Sequence, residues 1–275
     1  ENRHEVTDFA DTAGKYKTRF ALLGGGGTLN VMIQQAVADK KTTAKMREAF
    51  EKKAAELISM GIIGFGEMAA EHLSMNQQHP YVSAPPDHEL FLLLADLAAK
   101  YDVPIDLHME AIPEDMPLPD RLRDMPANPS TLHANIPSFE RLLAHNPGAK
   151  IVWSHAGWDN TGGWTTGLAD RLLEKHLNLF MSIRVVQNPI PSRPVDQEGK
   201  IKPEWLALIL KYPDRFLIGS DEFFMPQDSG KAHPSADSAA ATIAFLSQLP
   251  AEITRKVGYA NAIRLFKLEA ASRAD

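Results

Sequence analysis

A chain of 275 residues with 44% hydrophobic and 23% charged side chains has an ordinary globular composition and enough length for a sizeable core. Its net charge of −6 argues against a nucleic-acid partner, which needs clustered Lys and Arg, and its apolar runs fall far short of the roughly 20 residues that cross a bilayer. Cysteine is absent, which excludes disulfides, thiolate nucleophiles and Cys-ligated zinc, so any metal must be held by His, Asp or Glu.

The chain opens on Glu1 rather than Met, so its N-terminus is silent on compartment. Residues 1–17 read as a helix leading into a first strand-like run, "RFALLGGGG" (19–27). Further apolar runs follow at "GIIGFGEM" (61–68), "VPIDLHME" (103–110), "KIVWSHAGW" (150–158), "LNLFMSIRVV" (177–186) and "RFLIGSDEFF" (215–224). Amphipathic helical segments lie between and after them at 42–60, 87–102, 138–147, 203–213 and 235–249. Such alternation predicts βαβ units and a parallel sheet, either an open doubly wound sheet or a closed (β/α)₈ barrel. The Pro-rich stretch 111–130 reads as a long βα loop, and no stretch reads as an interdomain linker, so residues 1–275 are expected to form a single domain. Only six strands are visible, two short of a barrel.

Polar groups sit at the C-terminal ends of five runs: Glu67, His108 with Glu110, His155, Arg184 and Asp221. That edge is where parallel α/β folds bind ligands. Alternation along a strand puts Asp106, His108 and Glu110 on one face. Each alone has an ordinary reading: a hydrogen-bonded histidine, a surface carboxylate, a turn aspartate or a structural ion pair. Together, two imidazoles and several carboxylates at strand ends of one polarity make a site for a hard cation. Other features are weaker. "GGGG" (24–27) lacks the GK[ST] of a phosphate loop, no GxSxG elbow occurs, and "RHEVTD" is not HExxH. His72 is a candidate loop contributor and His88 a helix cap, while His79, His133, His145, His176 and His233 read as solvated.

"PIDLH", "IVWSHAG", "FLIGSDEF" and the closing "YANAIRLF" resemble, in this order, the last four signatures of the amidohydrolase superfamily. The narrower likeness is to its branch of metal-dependent TIM-barrel hydrolases, which also holds decarboxylases of aromatic or unsaturated acids. The resemblance runs from about residue 18 to 267. It implies a (β/α)₈ barrel of the amidohydrolase type whose visible strands are the third to eighth. It implies His108, His155 and Asp221 as metal ligands, with Glu67 as a further one, and one divalent ion, zinc being expected. Asp221 would be the general base and His155 would orient water. Arg184, Trp158 and Glu110 would contact a small carboxylated substrate.

The family's first strand ends in His-x-His, which occurs nowhere in the chain, so the missing barrel portion is expected to precede Glu1. The alternative is a divergent member with an incomplete site. The leading expectation is hydrolysis of an ester, lactone or amide by a metal-activated water. The second is non-oxidative decarboxylation of an aromatic or unsaturated acid, and the third is an inactive barrel used for binding. A small-molecule substrate is expected, without nucleic acid or membrane, and homo-oligomerisation is left open.

Overall fold

The computed structural model describes residues 5–16, 19–76, 80–185, 190–222 and 236–268. Expectations for His79, His233 and the far ends of the runs at 177–186 and 215–224 lie outside these residues. In chain order, α1 (Val6–Lys15) leads to β1 (Leu23–Gly25), α2 (Leu29–Ala38), α3 (Ala44–Ser59), β2 (Gly64–His72), β3 (Val82–Ser83), α4 (Glu89–Tyr101) and β4 (Ile105–Met109). A short hairpin, β5 (Met116–Pro117) with β6 (Thr131–Leu132), comes before α5 (Ile136–His145) and β7 (Ile151–Ala156). Then follow α6 (Thr166–Lys175), β8 (Leu179–Ile183), α7 (Pro203–Lys211) and β9 (Phe216–Ile218). The last described elements are α8 (Ala236–Leu246), α9 (Ala251–Arg255), a π-helical turn and α10 (Asn261–Phe266).

The main sheet runs β1-β2-β4-β7-β8-β9 with every neighbouring pair parallel, and β3 adds antiparallel to β2. Spatial order follows chain order with no reversal, whereas a doubly wound sheet reverses at a switch point. One face of the sheet carries the helices: Ile105, Leu107, Ile151, Trp153, Leu179, Met181 and Phe216 share a core with Leu57, Leu94, Phe139, Leu172 and Trp205. The residues between them turn to the opposite side. There Val152, Phe180 and Leu217 form a separate cluster with Leu265 of α10. A singly wound wall with all crossover helices on one face is the wall of a TIM-type barrel, and the fold is α/β of that class. Six of its parallel strands lie among the described residues, with β1 and β9 as edges.

The caps explain where helices begin. Thr43 and Thr165 accept hydrogen bonds from the backbone N–H of Met46 (3.2 Å) and Leu168 (3.0 Å), and Pro203 opens α7. His88 caps α4 as expected, its Nδ1 accepting from Leu90 N at 3.2 Å. Four helices, α2, α6, α9 and α10, lie outside the amphipathic segments visible in the sequence. The stretch at 111–130 is less of a loop than its prolines suggest. It holds β5 and part of a small second core made by Leu73, Ile112, Leu118, Leu122 and Leu132. His176, expected to be solvated, is 6% exposed. No helix among the described residues is long and apolar enough to cross a membrane.

Asp102 closes α4 in the left-handed region (φ 52°) and receives Lys150 Nζ at 2.6 Å, with Lys267 also paired to it. Hydrogen bonds from Lys150 and Lys267 lower its pKa to about 2. Because the folded value is depressed, this contribution is present above the unfolded pKa of about 4 and is lost as pH falls toward 2. Asp102→Asn keeps a residue that tolerates the left-handed backbone and removes only the charge. It is expected to cost less than about 1 kcal/mol at pH 7, since the pair is exposed, and clearly less at pH 2, where about half of the folded-state carboxylate is protonated. Urea melts of both proteins at the two pH values check this.

Candidate active site

Three ligand-type side chains meet at the C-terminal end of the sheet. Glu67 of β2, His108 of β4 and His155 of β7 each offer one donor atom within 4.8 Å of the others. Glu67 Oε1 lies 2.7 Å from His108 Nδ1 and 3.3 Å from His155 Nε2. The ring centroids of His108 and His155 are 5.0 Å apart, and His72, at the end of β2, places its ring 4.3 Å from that of His108.

Strand alternation delivers only His108. In β4, Leu107 faces the helices, so His108 faces inward. On β2 a register irregularity between Phe65 and Met68 lets both of those residues face the helices, which turns Glu67 to the inner side. On β7 the pairing with β8 is irregular between Trp153 and Ala156, and His155 has φ 62°. Strict alternation would put His155 on the opposite face from Ser154. Instead Ser154 Oγ reaches Asp106 Oδ1 at 2.5 Å while His155 reaches Glu67, so both serve the inner side.

The electrostatics follow from this packing. Burial pushes the Glu67 carboxyl up, but hydrogen bonds and charge from His108 and His155 more than reverse it, holding it well below the usual carboxylate range. Burial lowers the basicity of His155, yet Glu67, with Asp221 and Asp106 near, raises its pKa overall. Asp106 is pushed up to about 6, chiefly by burial and then by Glu67. Nδ1 of His155 is buried without a hydrogen-bond partner among the described residues. Two imidazoles, a carboxylate held ionised, and an orphaned buried nitrogen fit a divalent cation of the type that takes N and O ligands.

The other expected site residues sit around this group. Arg184 Nη1 binds Asp221 Oδ2 at 2.7 Å, and its guanidinium lies 4.4 Å from the centre of the Trp158 ring. Asp221 is thus placed against Arg184 rather than inside the three-residue group. Glu110 is 4% exposed and its carboxylate faces Asn160, not the mouth: Asn160 donates to it from both backbone N (2.9 Å) and side-chain Nδ2. Burial pushes the Glu110 carboxyl up. Asn160 and Arg121 were not singled out from the sequence, and Ser154, expected on the face opposite His155, reaches Asp106 on the inner side. Their signal lies in tertiary contacts, which no spacing reports.

Among the described residues five non-glycine residues have positive φ, and three of them, Lys40, Asp102 and Lys267, follow helix ends where this conformation is usual. The remaining two are His155 and Asp221, with φ of 62° and 53°. Strain of this kind is retained where surrounding structure enforces it, commonly at functional sites. Gly157 has φ 97°, and a Cβ there would lie 2.8 Å from Pro194 Cδ and 2.9 Å from Arg184 O. Gly157→Ala is expected to destabilise the fold by at least roughly 1–3 kcal/mol, read as a lower urea midpoint.

The Amidohydrolase family profile matches residues 43–268, and the chain belongs to that family. No curated protein matches the chain. Among solved structures it is similar to a 2,6-dihydroxybenzoate decarboxylase complexed with 2,6-dihydroxybenzoate, at 14% identity and a TM-score of 0.52, over 96% of this chain and 76% of that one. A dihydroxybenzoic acid decarboxylase from a Polaromonas species, with bound manganese and the inhibitor 2-nitroresorcinol, matches at 17% identity and a TM-score of 0.49, over 98% and 76%. A probable 2-pyrone-4,6-dicarboxylic acid hydrolase from Acinetobacter baumannii, with citric acid bound, matches at 11% identity and a TM-score of 0.41, over 96% and 89%. Likeness at such identities speaks to the fold alone, and the first of these agrees with the barrel wall described above.

Proposed function

We propose that the chain is a metal-dependent hydrolase of a small carboxylated ester, lactone or amide, with Glu67, His108 and His155 holding one divalent ion, zinc by donor type. The observation that carries this reading is the meeting of three ligand atoms from three strands within 4.8 Å. A bound ion would supply Lewis acidity and a water of lowered pKa. The protein's own groups do the rest. Arg184 suits a substrate carboxylate through its planar, two-pronged donor geometry, and Trp158 forms the wall beneath it. A substrate carboxylate on Arg184 competes with Asp221, which that guanidinium holds at 2.7 Å. Released from the pair, Asp221 accepts the proton of the attacking water and returns it to the leaving group.

A second reading, non-oxidative decarboxylation, is favoured by one feature. Asp221 is engaged by Arg184 at 2.7 Å, so it is not free to deprotonate water. In that chemistry the C–C bond to the carboxylate breaks, CO₂ leaves, and the carbon takes a proton from a water or a protonated carboxylate at the mouth.

The test is a panel of lactones and esters beside dihydroxybenzoate-type acids, offered to metal-loaded protein. Ring opening or ester cleavage that disappears in Asp221→Asn supports the hydrolase. CO₂ release without any hydrolysis would overturn it in favour of the second reading.

A further inference from the structure

The hydrogen-bonded register between β4 and β7 runs from Ile105–Ile151 to Leu107–Trp153 and stops one residue before His108 and two before His155. Two of the three ligand candidates therefore stand beyond the backbone ladder that joins β4 to β7, although β2 still pairs with His108 and β8 with Ala156. Past that point side chains join the two segments. Trp153 Nε1 donates to Met109 O at 2.7 Å, and higher up Asn160 meets Glu110.

Glu110 lies two residues after His108, and Asn160 five residues after His155. Both are buried, at 4% and 5% exposure. Asn160 donates its backbone N–H to Glu110 Oε2 at 2.9 Å and its Nδ2 to Oε1. From the other side Arg121 Nη2 donates to Asn160 Oδ1 at 2.6 Å and to Asn160 O at 3.0 Å. The carboxylate can only accept and the guanidinium can only donate, so the amide has one satisfactory orientation. Every polar group of Asn160 is engaged. The neighbouring loop is pressed onto the β4 exit as well: Thr161 Oγ1 donates to Ala111 O at 2.5 Å, and a Cβ on Gly163 would lie 2.2 Å from that same oxygen.

We propose that Asn160 and Glu110 are positioning residues that fix the separation of His108 and His155, and through it the affinity of the ion site. The inference rests on the metal reading given above. It assigns to Glu110 a role beneath the substrate rather than in contact with it. A contact partner beyond the ligands commonly changes metal affinity by 10–100-fold, because it holds a ligand in its binding orientation.

The experiment measures Zn²⁺ affinity by competition with a chromophoric chelator, and the visible absorption of the Co²⁺-loaded protein, at a temperature where all variants are folded. Asn160→Ala is expected to weaken Zn²⁺ binding about 10–100-fold and to alter the Co²⁺ bands. Asn160→Asp, which sets a carboxylate against Glu110, is expected to weaken it further. The double variant Asn160→Asp with Glu110→Gln exchanges donor and acceptor and is expected to recover much of the loss. A purely structural contact would lower melting temperature in the single variants and leave affinity and bands at wild-type values, which would overturn the proposal. If Asn160→Ala fails to fold, the single and double Asp variants still decide the matter. Wild-type protein that binds neither ion would remove the metal reading itself, a result separable from failure of the clamp alone.

Discussion

Replacing Glu67 by alanine is expected to lower Zn²⁺ affinity by more than the 10–100-fold typical of a residue one contact removed from the ion. Two effects add. The site loses its only carboxylate within the 4.8 Å group, and with it the anion that neutralises a dication. The two imidazoles also lose a shared acceptor, since Glu67 Oε1 sits 2.7 Å from His108 and 3.3 Å from His155. In the metal-free variant, burial then acts on His155 without Glu67 opposing it, so its imidazole is expected to titrate lower than in the wild type. Calorimetric titration with Zn²⁺ and the pH dependence of the histidine NMR signals measure the two effects separately. Wild-type Zn²⁺ affinity in Glu67→Ala would remove this carboxylate from the site.

Trp153→Ala is expected to cost about 3–5 kcal/mol of stability, the range for deleting a large buried aromatic. Trp153 is 1% exposed, with Phe139 packed edge-on at 5.1 Å between ring centroids and Trp164 at 6.5 Å. Its indole also donates to Met109 O at 2.7 Å, so truncation leaves a buried carbonyl short of a donor beside His108. The same ring that fills the core thus supports the ligand strand from behind. Trp153→Phe keeps most of the volume and isolates the hydrogen bond. It is expected to cost roughly 1–3 kcal/mol. Denaturant melts of both variants measure the two contributions.

The alternation of apolar runs and amphipathic segments made the barrel class legible, because burying a sheet under helices on one face imposes those periods on the sequence. The strand ends carrying His108, His155, Arg184 and Asp221 were legible for the same reason: apolar packing stops where the mouth begins. What the sequence did not show is how Glu67 and His155 turn inward. Both depend on register irregularities, and His155 on a left-handed backbone, neither of which a period of two encodes. The pairing of Asp221 with Arg184 was equally hidden, since both residues lie at strand ends and spacing cannot say which of their neighbours each will meet. Glu110 was placed on the His108 face by alternation, but the strand ends at Met109, so alternation no longer governs it. Its partner Asn160 comes from a loop 50 residues away.

Glu67, His108 and His155 are proposed to hold one ion together. Anomalous diffraction from crystals of the zinc-loaded protein, collected on both sides of the zinc absorption edge, tests it most directly. The expected result is a single strong anomalous peak within coordination distance, about 2.0–2.2 Å, of a carboxylate oxygen of Glu67 and one ring nitrogen of each histidine. A peak placed elsewhere, or no peak in crystals soaked at saturating zinc, would mean that these three residues do not hold the ion.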